Sequence, residues 1–222
     1  MGLKESGLRG SLRNVSVGID AIPDSDVYLH DDFGDNRLTD REDSGETTHN
    51  GETGVYRPEW DIIQTDGDDP QASNERLIVG TGRDSGALAA DLSLNEDETI
   101  TWEFTDIELG DRGGSGNSEI NLIAEQNDPQ PDDRIELGIF TDSIGLRKYE
   151  NGSSSFIIDS EDNDDENIDV EVVREPNGDW ELLVNESTLG TGTDSFLPDV
   201  NYLTLFADED GTELSVDEIK VR

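Results

Sequence analysis

Cysteine is absent from all 222 residues, so no disulfide framework and no thiolate metal site can form. Lysine is nearly absent too. Lys4, Lys148 and Lys220 are the only three, and basic residues total 15 against 55 acidic ones. The resulting formal charge of −40 argues against nucleic acid as a partner, because binding it needs a basic surface that displaces counterions. No apolar run is long enough to cross a bilayer as a helix, so membrane insertion is not expected. Met1 to Ile22 lacks a continuous apolar core, and no secretory signal is read there. Helical periodicity is missing as well: no segment of ten or more residues repeats its apolar positions convincingly at helical spacing. Histidine occurs only at His30 and His49. His30 adjoins Asp31 and Asp32, but both histidines read as surface residues. No serine sits in a nucleophile elbow. The glycine-rich stretch Gly110–Asn117 lacks the Lys-Ser/Thr pair of a phosphate loop.

What remains is an acidic chain in which apolar residues make up 31 %. High net charge at that level leans towards disorder, but strand-period alternation through most of the chain argues for a fold. So large an excess of one sign repels itself in ordinary salt. At molar salt the screening length falls to about 3 Å and the repulsion is largely removed. Acid-rich, lysine-poor composition therefore fits a protein that works in brine; an acidic, calcium-loaded extracellular protein is the competing reading. The charge is also uneven. Residues 1–22 carry three basic and two acidic side chains, a net of +1, which leaves −41 for residues 23–222. Residues 1–27 are accordingly read as an extended N-terminal arm with a strand near 13–19, and residues 28–222 as one β domain.

The last third carries the clearest pattern. Ile168-Asp-Val-Glu-Val-Val, the turn Glu175-Pro-Asn-Gly-Asp and Trp180-Glu-Leu-Leu-Val predict one hairpin. Asn201-Tyr-Leu-Thr-Leu-Phe, Asp208-Glu-Asp-Gly and Glu213-Leu-Ser-Val predict a second. Upstream, strands are expected at 76–80, 87–94, 99–109, 119–125, 134–141, 145–149 and 155–158, with Trp60 and Ile62-Ile63 closing an earlier one. The Gly/Ser/Thr/Glu-rich stretch through Gly54 and residues 65–74 read as loops. Inward parity is even at Ile100, Trp102 and Phe104 but odd at Ile107 and Leu109. The same slip separates Val216 from Ile219, and a one-residue parity change is what a β-bulge produces. Many short strands at this spacing mean a sandwich or barrel.

Asp31-Asp-Phe-Gly-Asp-Asn-Arg-Leu38 resembles the opening of concanavalin A-like (laminin G-like) jelly-roll domains. The order Val172–Asn185, Leu189-Gly-Thr-Gly-Thr-Asp, Leu203-Thr-Leu-Phe-Ala-Asp and Val216-Asp-Glu-Ile-Lys-Val resembles their C-terminal part. The likeness covers about residues 30–222 and implies an all-β, antiparallel jelly-roll β-sandwich. The arm and the halophilic composition make the chain similar to surface structural proteins of haloarchaeal tailed viruses.

Laminarinase-like enzymes of this fold carry Glu-x-Asp-x-Glu along one strand. Here the matching residues are Asn167, Asp169 and Glu171, with an amide where the nucleophile would stand. An amide cannot form a glycosyl ester, so no catalytic residue is assigned. Asn167, Asp169 and Glu171 become candidates for a glycan-binding face instead. The resemblance also implies calcium at the rim, for which Asp31, Asp32, Asp35, Asp66, Asp68 and Asp69 are candidate ligands; no other cofactor is expected. Sequons stand at Asn14, Asn151 and Asn185. The function expected is non-enzymatic: a virion-surface turret, fibre or decoration protein in hypersaline surroundings. It would assemble with copies of itself and dock on other virion proteins through residues 1–27. The sandwich would face a host surface glycoprotein. A secreted haloarchaeal glycan-binding or glycan-active protein is the alternative.

The charge makes one outcome measurable. The body should stay folded in molar KCl and loosen as salt falls and the screening length grows to about 10 Å at 0.1 M. Near-UV circular dichroism through a dialysis series reads this directly, and a spectrum indifferent to salt would rule out the brine reading.

Overall fold

Alternating apolar residues draw the chain into strands, and every regular element among the described residues is a strand. The structure is a computed structural model that describes residues 28–38, 47–49, 52–55, 60–65, 70–80, 86–92, 94, 97–109, 118–124, 130–140, 143–163, 165, 167–197, 202–207 and 213–222. The stretch expected as an N-terminal arm, residues 1–27, and residues 66–69 lie outside them. In chain order the strands are β1 (Leu29–Asp31), β2 (Thr47–His49), β3 (Glu52–Val55), β4 (Asp61–Thr65), β5 (Gln71–Ser73) and β6 (Arg76–Val79). Then come β7 (Gly86–Asp91), β8 (Ile100–Leu109), β9 (Ser118–Ala124), β10 (Arg134–Ile139), β11 (Ser143–Glu150) and β12 (Ser153–Asp162). The last are β13 (Asn167–Arg174), β14 (Asp179–Val184), β15 (Ser187–Thr193), β16 (Tyr202–Ala207), β17 (Leu214–Val216) and β18 (Glu218–Val221).

They form two antiparallel sheets and a small β2–β3 hairpin. One sheet has nine strands, running β15-β14-β13-β8-β17-β6-β5, with β18 also on β8 and β1 on β18. The other has seven, in the order β12-β11-β10-β9-β16-β7-β4. The architecture is the expected jelly-roll β-sandwich. Side chains from the inner faces of both sheets make one core. Trp102 of β8 stacks on Trp180 of β14 at 6.0 Å between ring centroids, and Trp60 packs near Phe33. Ile120, Leu137, Leu146 and Leu205 come up to meet them from the seven-stranded sheet.

The Glu175–Asp179 hairpin forms as expected. Gly178 N–H donates to Glu175 O at 2.9 Å, and Gly178 takes a φ of 87°. The second expected hairpin does not exist. β16 pairs with β7 and β9, whereas β17 pairs with β6 and β8, so the chain changes sheets between them. The physical reason is that alternation marks which side chains point inward. It does not say whether consecutive strands lie side by side or face each other across the core. Two segments expected as loops also carry strands: β2 and β3 in the stretch through Gly54, and β5 within 65–74. β5–β6 and β14–β15 turn through Asn74-Glu75 (φ 55° and 64°) and Asn185-Glu186 (φ 50° and 62°). β11–β12 turns the same way through Asn151-Gly152. Both central residues of such two-residue turns need positive φ, which asparagine tolerates. Asn-Glu fills the role here without the glycine that usually announces it.

The expected bulge lies at Asp106, which has a φ of 51°. Ile168 pairs with Ile107 but Val170 with Phe104, so β8 carries one residue too many. Asp106 N–H donates to Asp169 Oδ1 at 2.8 Å, and Arg76 Nη2 donates to Asp106 O at 2.7 Å. Val216 and Ile219 change parity at Asp217, beside the same bulge. Asp217 N–H donates to Thr105 O, and Arg76 Nε lies 2.6 Å from Asp217 Oδ1. That contact is an ion pair out of line for a hydrogen bond.

One side of the sandwich closes where β15 of the first sheet lies on β12 of the second. A Cβ on Gly192 would stand 2.0 Å from Ile157 O, and one on Gly190 2.5 Å from Ile158 Cγ2. Only hydrogen fits there. Gly192→Ala should therefore cost about 1–3 kcal/mol, the usual penalty of overpacking. Denaturant melts in molar salt check this, with exposed Thr193→Ala as the neighbour that should cost less.

Candidate functional site

The outer face of the seven-stranded sheet is polar but not solvated like an ordinary surface. All six residues of β10 are buried: Ile135, Leu137 and Ile139 inward, Arg134, Glu136 and Gly138 outward. Cross-strand register sets the outward side chains in rows. Thr204, Asn121, Glu136, Arg147 and Phe156 form one row across β16, β9, β10, β11 and β12. Tyr202, Ala124, Arg134, Tyr149 and Ser154 form the next, and Phe206, Glu119, Gly138 and Gly145 the one on the other side.

Glu136 is the floor, with no exposed surface. Arg147 Nε donates to its Oε1 at 2.9 Å, and Arg147 Nη2 makes a second, shorter contact with the same oxygen. Arg134 Nε donates to Oε2 at 3.1 Å, and its Nη1 donates to Pro131 O at 2.7 Å. Each carboxylate oxygen thus faces its own guanidinium, the arrangement that makes charged hydrogen bonds strong. Aromatic rings then cover the cations. Arg134 Cζ stands 3.4 Å from the Tyr149 ring centroid, and Arg147 Cζ stands 4.8 Å from Phe140, 5.6 Å from Tyr149 and 6.0 Å from Phe156. Phe140 reaches this place because Gly138 has no side chain; a Cβ there would meet the ring at 2.8 Å. Phe156 is 47 % exposed, a large apolar surface offered to solvent at the open end of the row.

Glu119 sits one row over. Gln130 Nε2 donates to its Oε2 at 3.0 Å, and Arg134 Nη2 is 3.9 Å away. Burial, and next the charge of Glu136, push its carboxyl above the ordinary value. Burial first and Glu136 second push the Tyr149 phenol up as well. Two carboxylates on neighbouring strands have the look of a glycosidase pair. Glu136 cannot serve as the nucleophile of one, because it is fully covered and each of its oxygens is held by an arginine. Its work is to fix Arg147 and Arg134 in place.

The residues singled out in the sequence lie elsewhere. Asn167, Asp169 and Glu171 share the outer face of β13, in the nine-stranded sheet. Asp169 is tied to the bulge through Asp106 N–H, and its own N–H donates to Asn185 Oδ1. Of the rim carboxylates, Asp31 is buried; its Oδ1 accepts from Phe33 N–H and its Oδ2 from Trp60 Nε1 at 2.8 Å. Asp32 and Asp35 accept from the N–H groups of Gly34 and Arg37. Each carboxylate closes its own turn, and among the described residues no group of three or more acidic or histidine side chains converges as a metal site. Asp66, Asp68 and Asp69 lie outside the described residues. His30 Nε2 meets Glu218 Oε1 at 2.5 Å and ties β1 to β18.

The row of Glu136, Arg147 and Phe156 went unread in the sequence. Its signal was Arg134-Ile-Glu136 and Arg147-Lys-Tyr149, basic residues set into strands that a chain of 55 acids would otherwise line with acids.

No protein-family model matches the chain, and no curated protein matches it by sequence. Solved structures do match in shape. The Emp46p carbohydrate recognition domain in its potassium-bound form has 13 % identity and a TM-score of 0.54, covering 73 % of this chain and 87 % of that one. A structure described as a native glycosidic hydrolase has 10 % identity and a TM-score of 0.53, over 73 % of this chain and 89 % of its own. A botulinum neurotoxin type C structure, concerned with two ganglioside molecules, has 14 % identity and a TM-score of 0.52 over 79 % of this chain. The match spans only 46 % of the toxin chain. These likenesses establish a lectin-like β-sandwich fold.

Glu119 supplies a pH test. Its folded-state pKa is raised, so its contribution to stability is fully present below the ordinary glutamate pKa and is lost as pH rises through the raised value. Glu119→Gln should flatten that part of the profile. Subtracting variant from wild-type unfolding free energies between pH 4 and pH 8 isolates the effect; parallel profiles would mean the carboxyl is not desolvated.

Proposed function

We propose that this chain is a non-catalytic glycan-binding sandwich that takes its ligand on the outer face of the seven-stranded sheet, at the Phe156 end of the Glu136–Arg147 row. The observation that carries this reading is the half-exposed Phe156 beside an arginine already held rigid from below. A sugar ring offers an apolar face of C–H groups and a rim of hydroxyls. Phe156 suits the first by stacking and Arg147 suits the second as a donor. Glu136 orders the guanidinium before any ligand arrives, so little freedom is lost on binding. The fully covered Glu136 favours binding over hydrolysis. The carbohydrate recognition domain of Emp46p supports the reading as a fold able to present such a face.

We place the sandwich on the surface of a haloarchaeal virion, in many copies, as turret, fibre or decoration. Residues 1–27 dock it on other virion proteins. A host surface glycoprotein is the target. Composition supports this: the net charge is −41 over residues 23–222 but +1 over residues 1–22. An acidic chain meeting an acidic envelope binds weakly per copy, and repetition raises avidity by roughly 10²–10⁴. Rim calcium is part of this proposal through Asp66, Asp68 and Asp69, since Asp31, Asp32 and Asp35 spend carboxylate oxygens on their own turns.

The test is a glycan array read in molar KCl with the chain as an oligomer, beside Phe156→Ala and Arg147→Lys. Phe156→Ala should weaken binding by roughly tenfold or more without changing the melting curve. Arg147→Lys should also weaken it, since lysine keeps the charge but loses the planar fork. A chelator arm reads the calcium. Failure of the wild type to bind any glycan, or full binding by Phe156→Ala, overturns the site. Mass analysis of intact particles from brine decides the virion setting.

A further inference from the structure

The two sequons among the described residues occupy matching turns but present their asparagines differently. Asn151-Gly152-Ser153 and Asn185-Glu186-Ser187 each begin at the first central residue of a two-residue hairpin turn, with φ near 50° at both asparagines. The turn itself accounts for an asparagine at either place. It does not make the two side chains equivalent. The amide of Asn185 is bound at both ends: its Nδ2 donates to Asp165 Oδ2 at 3.0 Å and its Oδ1 accepts from Asp169 N–H at 3.0 Å. Its backbone N–H also donates to Asp169 O. Asn185 therefore locks the turn onto β13.

Asn151 is exposed, and so are Gly152 and Ser153. The backbone of this turn is held, with Asn151 N–H donating to Asp133 Oδ1 at 2.6 Å and Gly152 N–H to Asp132 O at 2.9 Å. The side-chain amide of Asn151 has no hydrogen-bond partner among the described residues. Glycine at the middle position takes its φ of 73° without side-chain strain. The result is a rigid, protruding turn that presents a free carboxamide with a serine hydroxyl two residues on.

We propose that Asn151 is an N-glycosylation site of the folded chain and that Asn185 is not. The co-reactant is a lipid-phosphate-linked oligosaccharide. Asn151 Nδ2 forms a bond to the anomeric carbon, the bond from that carbon to the phosphate oxygen breaks, and the amide proton leaves with the phosphate as the other product. On Asn185 the same course would have to act on a carboxamide whose nitrogen and oxygen are both already engaged. The proposal does not depend on the glycan-binding reading, since the modified turn is a substrate for another enzyme and not part of the Arg147 site.

The experiment is peptide mapping by mass spectrometry on the chain isolated from the organism that makes it, together with Asn151→Gln, Ser153→Ala and Asn185→Gln expressed in that organism. The expected result is a hexose-containing mass increment on the peptide that holds Asn151, lost in both Asn151→Gln and Ser153→Ala and kept in Asn185→Gln. Ser153→Ala matters because it keeps the turn asparagine, so loss of the increment there cannot come from misfolding of the hairpin. An unmodified Asn151 overturns the proposal. Equal occupancy of Asn151 and Asn185 overturns it too, because modification would then precede folding and the side-chain geometry would select nothing.

Discussion

Strand β8 keeps its apolar side chains on the core side along its whole length, and the extra residue at Asp106 is what lets it. Before the bulge, Ile100, Trp102 and Phe104 point into the core; after it, Ile107 does. β13 pairs along one side of β8, while β17 and β18 share the other. β17 and β18 carry a matching slip at Asp217, between buried Val216 and Ile219, while β13 keeps one parity from Ile168 to Val172. The crease is costly, since a non-glycine residue sits at positive φ and the four carboxylates of Asp106, Glu108, Asp169 and Asp217 gather near it. Arg76 answers that cost by reaching the Asp106 carbonyl, Glu108 at 3.0 Å and Asp217. Burial still leaves the Asp217 carboxyl raised despite Arg76 beside it. The inner placement of Trp102 opposite Val172, and with it the Trp102–Trp180 stack, depends on this one correction of phase.

The crease was legible in the sequence because a parity slip leaves a mark on the apolar pattern. So were the sandwich and most strand positions, since burial on one face enforces period two. Pairing was less legible. Leu203, Leu205, Leu214 and Val216 all point inward, and nothing local says that the first two belong to a different sheet from the last two. β5 and β15 were obscured for another reason: their hairpins turn on Asn-Glu, and a glutamate at positive φ is not a residue that announces a tight turn.

The candidate site was the least legible part. Acidic residues are so common here that a carboxylate carries little information, and Asn167, Asp169 and Glu171 stood out only through likeness to an enzyme motif. In the fold, Asp169 holds the β8 bulge. The informative residues were the scarce ones. Arg134 and Arg147 are two of only 15 cations; alternation along β10 sets Arg134 beside Glu136, and strand register brings Arg147 onto it from β11. Opposite charges on adjacent strands are visible in a sequence only when the register between those strands is known.

The Glu136 row also separates two responses to the medium. The body of the chain is a polyanion, and dissolved salt screens the repulsion among its surface charges. Arg134 and Arg147 against Glu136 and Glu119 sum to zero, and their pairs are buried, where mobile ions reach them poorly. The face is an electrically neutral inlay in a charged shell. Salt therefore acts on the exposed shell far more than on these buried pairs. An inlay of this kind is portable: set into a sandwich with an ordinary surface charge, the same four side chains would stay paired in fresh water.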